Sequence, residues 1–200
     1  MKYEKKSISD ILRSNNTVFT FKDISIIWGD TDKRATIAGV NYYVKTGGLY
    51  RIRRGIYAKD KNYNKSELAV KIFSPSYISF ETVLGQAGIT FQFYGQIFAA
   101  SYLTREIIAD GQTYSYKKIK DSILTNHAGI EHQENSTIAI PERAFLDVVY
   151  LHKDYHFDNL SNLNWAKVFD ILPIYGGNKR MEKKVREYYE EDKKDTNTEK

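Results

Sequence analysis

The sequence predicts an α+β fold: an N-terminal winged helix-turn-helix, then a mixed α/β domain with an antiparallel sheet and C-terminal helices. Three observations predict it. Residues 7–46 carry apolar residues at helical spacing, and an alternating hairpin follows at residues 49–58. Between Phe91 and Leu124 the apolar period shortens to that of strands, around an Asp110-Gly111 turn. The basic excess is confined to the first part: residues 1–60 hold 12 Lys+Arg against 6 Asp+Glu, whereas residues 61–200 hold 18 against 19. That asymmetry points to a polyanionic partner for the first sixty residues only.

In chain order, Ser7 to Asn15 reads as a first helix with Ile8, Ile11 and Leu12 as its stripe, capped by Ser7 or Ser9. Val18-Phe19 is extended. Thr20 caps a second helix, Phe21 to Trp28, with Ile24, Ile27 and Trp28 inward. Gly29-Asp30 turns into a third helix ending near Thr46, where Gly47 and Gly48 stop it. Its apolar stripe is expected at Lys33, Ile37, Val40 and Val44, leaving Ala35, Ala38, Gly39, Tyr42 and Thr46 on the other side. Leu49-Tyr50-Arg51-Ile52 and Ile56-Tyr57-Ala58 form a hairpin around Arg53-Arg54-Gly55. Helices followed by a hairpin with a basic tip are the order of a winged helix-turn-helix, whose second motif helix enters the major groove while the wing reaches backbone or minor groove. The DNA-binding candidates are Thr31, Lys33, Arg34, Thr36, Tyr42, Lys45, Arg51, Arg53 and Arg54.

Residues 61–65 read as a linker, 66–191 as the second domain and 192–200 as a disordered tail. In the second domain, Ser66–Phe73 and Phe80–Gln86 are helical. Gln96–Tyr102, Arg105–Ala109 and Gln112–Tyr116 are strands. Lys117, Lys118 and Lys120 suggest a lysine-blunted edge strand or a second basic patch. Asn126 to Ser136 reads as a polar loop and Ile138-Ala139-Ile140 as a further strand. Pro141 opens a helix with Phe145, Val148, Val149 and His152 on one face, and Arg143 and Asp147 form a surface ion pair on it. Asn164 to Leu172 and Asn178 to Glu191 complete the helices.

No nucleophile elbow, phosphate-binding loop, HExxH or dinucleotide fingerprint is present, so no catalytic residue and no cofactor is assigned. There is no cysteine, which excludes disulfides and thiolate metal sites. His152 and His156 stand four apart without a third ligand, so no metal is assigned. Two further readings stay open: a nucleic-acid-modifying enzyme with a winged-helix targeting domain, with carboxylates at Glu131, Glu134 or Glu142, and a protein-interaction module. No apolar run reaches membrane-spanning length and no signal peptide is visible, so a cytoplasmic protein is expected.

Three blocks carry a family resemblance: Gly48-Leu49-Tyr50-Arg51-Ile52-Arg53-Arg54-Gly55-Ile56-Tyr57, Tyr77-Ile78-Ser79-Phe80-Glu81-Thr82-Val83-Leu84 and Ile138-Ala139-Ile140-Pro141-Glu142-Arg143-Ala144-Phe145-Leu146-Asp147. In that order, across roughly residues 7–175, the chain resembles the antitoxin of AbiE-type abortive-infection systems (AbiEi), a type IV toxin–antitoxin class associated with phage resistance. The resemblance implies a repressor of its own operon, bound to double-stranded DNA at inverted repeats in the promoter. It also implies a functional partner, a nucleotidyltransferase-like toxin, with which a stable complex is not expected. The small, nearly uncharged residues Ala35, Ala38 and Gly39 depart from a side chain-rich reading helix, and no toxin-neutralising residue is assigned.

Overall fold

The computed structural model describes residues 7–92, 94–133 and 135–198. The chain is α+β and divides into two compact units, Met1–Ile72 and Phe73–Lys200.

The first unit contains α1 (Ile8–Arg13), β1 (Val18–Thr20), α2 (Phe21–Ile27), α3 (Lys33–Lys45), β2 (Tyr50–Arg53), β3 (Ile56–Ala58) and α4 (Lys65–Ile72). The expected hairpin is β2–β3, and β1 adds a third antiparallel strand in the order β1-β3-β2, with Val18 opposite Ala58 and Thr20 opposite Ile56. A capping box starts α2: Thr20 accepts from the Asp23 amide at 3.1 Å, and Asp23 accepts from the Thr20 amide at 2.9 Å. Such a cap contributes about 1 kcal/mol. Ile11, Phe19, Ile24, Val40, Leu49 and Tyr57 form the core, with Ile27, Trp28 and Tyr43 packed against it.

The stripe of α3 differs from the expected one. Lys33 and Ile37 are exposed, whereas Thr36 and Val40 are buried. The helix is rotated because Thr36 donates its hydroxyl to the Asp30 carboxylate at 2.6 Å and Tyr43 packs at a tilt against Trp28, ring centroids 5.9 Å apart. The 61–65 linker is corrected as well. Asn64 caps α4 by accepting from the Ser66 amide at 2.8 Å. The buried Glu67 carboxylate of α4 then accepts from both the amide and the hydroxyl of Thr17, at 2.8 and 2.7 Å. These bonds tie α4 to the first unit, so the division falls at Ile72 rather than before residue 66.

The second unit contains β4 (Ser76–Ile78), α5 (Glu81–Gln86), β5 (Gln96–Ser101), β6 (Arg105–Ala109), β7 (Gln112–Lys118), α6 (Asp121–Leu124), β8 (Ile130–Gln133), β9 (Ser136–Ala139), α7 (Pro141–Leu151), α8 (Trp165–Ile171), a 3-10 turn (Leu172–Tyr175) and α9 (Lys179–Thr198). The strand order is β6-β7-β5-β4-β9-β8. The sheet is mixed, not purely antiparallel: β5 runs parallel to β7, and β4 parallel to β9. The Asp110-Gly111 turn joins β6 to β7 with φ of 47° and 73°, the left-handed pair that a two-residue hairpin turn needs. Residues 130–133, expected in a loop, form β8. Helix α9 continues to Thr198, through the segment expected to be disordered; residues 199 and 200 lie outside the described residues.

Helix α7 is buried on all sides from Glu142 to Val149, not only on one face. The Arg143–Asp147 pair is therefore not on the surface: both side chains are fully buried, with Nε to Oδ1 at 3.3 Å. The guanidinium also donates to the carbonyls of Ala128 at 2.7 Å and Ile123 at 2.8 Å, and to the Tyr77 hydroxyl at 2.8 Å. The carboxylate accepts from Ser79 at 2.7 Å, Tyr175 at 2.7 Å and Tyr77 at 3.0 Å. Burial raises the Asp147 carboxyl against the pull of Arg143 and the three hydroxyls. Burial also opposes the charge on Arg143, but Tyr175, Asp147 and Tyr77 together hold it above its ordinary value. A buried pair survives only when its remaining donors and acceptors are satisfied, as they are here.

Candidate nucleic-acid interface

The exposed face of α3 starts at its turn. Gly29 takes φ 62°, Ser25 donates its hydroxyl to the Asp30 carbonyl at 3.2 Å, and the Asp32 carboxylate caps the helix through the Arg34 amide at 2.9 Å. With Thr36 and Val40 fixed inward, Arg34, Ala38, Asn41 and Lys45 follow at i, i+4, i+7 and i+11 along the solvent side. Thr31 and Lys33 are exposed beside them, and Tyr42 is 61% exposed, its ring edge-on to Tyr43 at 5.3 Å.

Arg54 and Gly55 form the two-residue hairpin turn, with Gly55 at φ 81°. The turn is anchored because the Phe21 amide donates to the Gly55 carbonyl at 2.8 Å. Arg51 and Arg54 are exposed. Arg53 is not equivalent to them: a bulge lies between Arg51 and Arg53, and Arg53 is half-buried with its Nη1 shielded from solvent. A bulge re-aims the side chain it displaces.

Thr36 drops out as a DNA-contacting candidate, since it is fully buried and its hydroxyl is bonded to Asp30. Asn41, an exposed amide on the solvent side of α3, was missed by the sequence argument; correct helix phasing would have found it. Lys71 pairs with Asp23 at 2.8 Å, and Lys59 donates to the Ser14 carbonyl. Among the described residues, Lys33, Arg34, Lys45, Arg51 and Arg54 have no ion-pair partner. Counted by unit, Met1–Ile72 holds 15 Lys+Arg against 7 Asp+Glu, and Phe73–Lys200 holds 15 against 18.

The second unit offers less of what the sequence suggested. Strand β7 lies between β6 and β5, so its lysines do not blunt an edge; Lys117 instead pairs with Glu81 at 3.1 Å between the rings of Phe80 and Phe98. Helix α7 ends at Leu151, so His152 and His156 do not share a helical face, and His156 lies 3.7 Å from Asp158. Among the described residues no cluster of three or more His, Cys, Asp or Glu could hold a metal. Glu142 is buried and accepts from the Asn164 amide at 3.0 Å, Glu131 is exposed on β8, and Glu134 lies outside the described residues. Tyr188 packs against Phe145 and Phe157, and Tyr189 against Trp165 and Phe169. Among the described residues no helix is long and apolar enough to cross a membrane.

These features define a two-unit α+β protein whose first unit carries uncommitted cations on one helix and one hairpin. No family model and no curated protein matches the chain. Among solved structures it is similar to the RV2827C protein from Mycobacterium tuberculosis, known from a crystal structure. The identity is 12% and the TM-score 0.47, over 90% of this chain and 79% of that one. A likeness that distant carries no argument.

Proposed function

We propose that the protein is a DNA-binding transcriptional autorepressor and the antitoxin of a type IV toxin–antitoxin system, countering a nucleotidyltransferase-like toxin. In this reading the first unit is a winged helix-turn-helix, with α3 in the major groove and the β2–β3 turn as a short wing. The second unit carries the antitoxin role and no catalytic one. The observation that carries the DNA reading is the shared exposure of five cations without ion-pair partners, Lys33, Arg34, Lys45, Arg51 and Arg54, on α3 and the hairpin. Arg34 and Asn41 suit base edges, Ile37 and Tyr42 suit thymine methyl groups, and Lys33, Lys45, Arg51 and Arg54 suit phosphates. The antitoxin half rests on the three-block sequence resemblance.

A gel-shift titration against the DNA upstream of the operon tests the regulator. Four phosphate contacts give a slope of log K against log salt of roughly −3 to −4 per protomer. The double substitution Arg51→Ala plus Arg54→Ala should lower affinity for all sequences alike and flatten that slope by about 2. Absence of any retarded band at low salt rejects the regulator. Co-expression with the neighbouring gene tests the antitoxin: growth arrest that the protein fails to relieve rejects that role.

A further inference from the structure

The second unit holds a cleft of about 580 Å³ between α5 and the start of β5, a size suited to a small-molecule ligand. Its only charged lining group is Glu81, and both Glu81 oxygens already engage Lys117, at 3.1 and 3.2 Å. The cleft therefore offers no free cation to a phosphate and no free carboxylate to a sugar diol. It offers amides instead. Gln86 and Gln96 line it with side chains that bond nothing among the described residues, while Gln112 is held at the wall by the Gly95 carbonyl at 2.8 Å. The Thr90 hydroxyl, on a residue 5% exposed, has no partner either.

Aromatic faces complete the wall. Phe91 is 71% exposed, yet its backbone is fixed, because its amide donates to Asp158 at 2.7 Å. Tyr94 is held edge-on to Phe98 at 5.4 Å, with its hydroxyl on Gln92 at 2.9 Å. Immediately before the lining residue Glu81, the fully buried Phe80 takes φ 57°. Such strain in a bulky residue persists where the surroundings impose a particular geometry.

A cleft whose lining carboxylate is already paired, with free amides, each a paired donor and acceptor, beside an exposed ring, matches the edge and face of one ligand class. We propose that this cleft binds a nucleobase, stacked on Phe91 and read at its edge by Gln86 and Gln96. The base comes either from a free nucleoside or from a single strand that presents it unpaired. The inference does not depend on the DNA reading of the first unit.

The test uses the full chain, labelled with ¹⁵N. Adenosine, guanosine, cytidine and uridine are titrated to millimolar concentration, then homo-oligonucleotides, with glucose as a polyol control. Amide shifts in residues 85–92 and 95–97 are expected with at least one nucleoside, or with an oligonucleotide alone if the base must be strand-borne. Phe91→Ala and Gln96→Ala, both at solvent-accessible positions, should each weaken binding roughly five- to hundredfold while circular dichroism is unchanged. No shifts in those residues with any nucleoside or oligonucleotide overturns the proposal. So does equal response to glucose, or an affinity indifferent to both substitutions. Shifts confined to residues 31–54 would instead report the first unit's DNA face.

Discussion

Asp147→Ala removes the carboxylate that four groups address. Arg143 is then a fully buried guanidinium without its counter-charge, and the hydroxyls of Ser79 and Tyr175 lose their acceptor. Breaking one side of a buried pair costs roughly 3–5 kcal/mol, and each of the two orphaned hydroxyls adds about 1 kcal/mol, so the total is ~5–7 kcal/mol. That is a large share of the ~5–15 kcal/mol that holds a domain folded. At ~3–5 °C per kcal/mol for a unit of this size, melting falls by roughly 15–35 °C. Urea unfolding followed by circular dichroism measures the loss, and a cycle with Arg143→Met measures the coupling. The double variant Arg143→Met plus Asp147→Leu should recover much of the stability, because no buried charge remains. A loss under about 1 kcal/mol, or additivity within about 0.5 kcal/mol, refutes the reasoning.

Two further outcomes follow from the same unit. Gly129 sits at φ 71°, and a Cβ there would lie 2.8 Å from both Arg143 Cβ and Ile171 Cδ1, so Gly129→Ala should cost ~2–4 kcal/mol by urea unfolding. Burial pushes the phenols of Tyr77 and Tyr175 well above their ordinary value and also raises Tyr114, Tyr155 and Tyr188. The folded chain thus keeps protons that the unfolded chain releases above about pH 10, so this contribution is intact below about pH 10 and is lost as pH rises beyond it. Ultraviolet titration of phenolate should show a subset of tyrosines ionising together with the loss of the far-ultraviolet helical signal, whereas smooth independent ionisation of all of them in folded protein contradicts it.

Much of the local structure was legible in the sequence because it is decided within a few residues. Thr20 and Asp23 bracket the start of α2, Asp110-Gly111 supplies positive φ, and Pro141 fits a first helical turn. The exposed cations Arg34, Lys45, Arg51 and Arg54 were readable in the same way. Thr36 and Asn41 were not, since the phase of α3 depends on Asp30 and Trp28, which lie in the preceding turn and helix.

The sequence by itself determined where helices and tight turns occur and which segment carries the positive charge. Tertiary structure decided which charges remain free to act. Tyr77 meets Arg143 and Asp147 across 66 and 70 residues, Glu67 meets Thr17 across 50, and Lys117 meets Glu81 across 36. Whether a charge is a solvated contact point or a buried tie depends on the dielectric around it and the partners within reach. Both are set by segments distant in the chain, which no local pattern encodes.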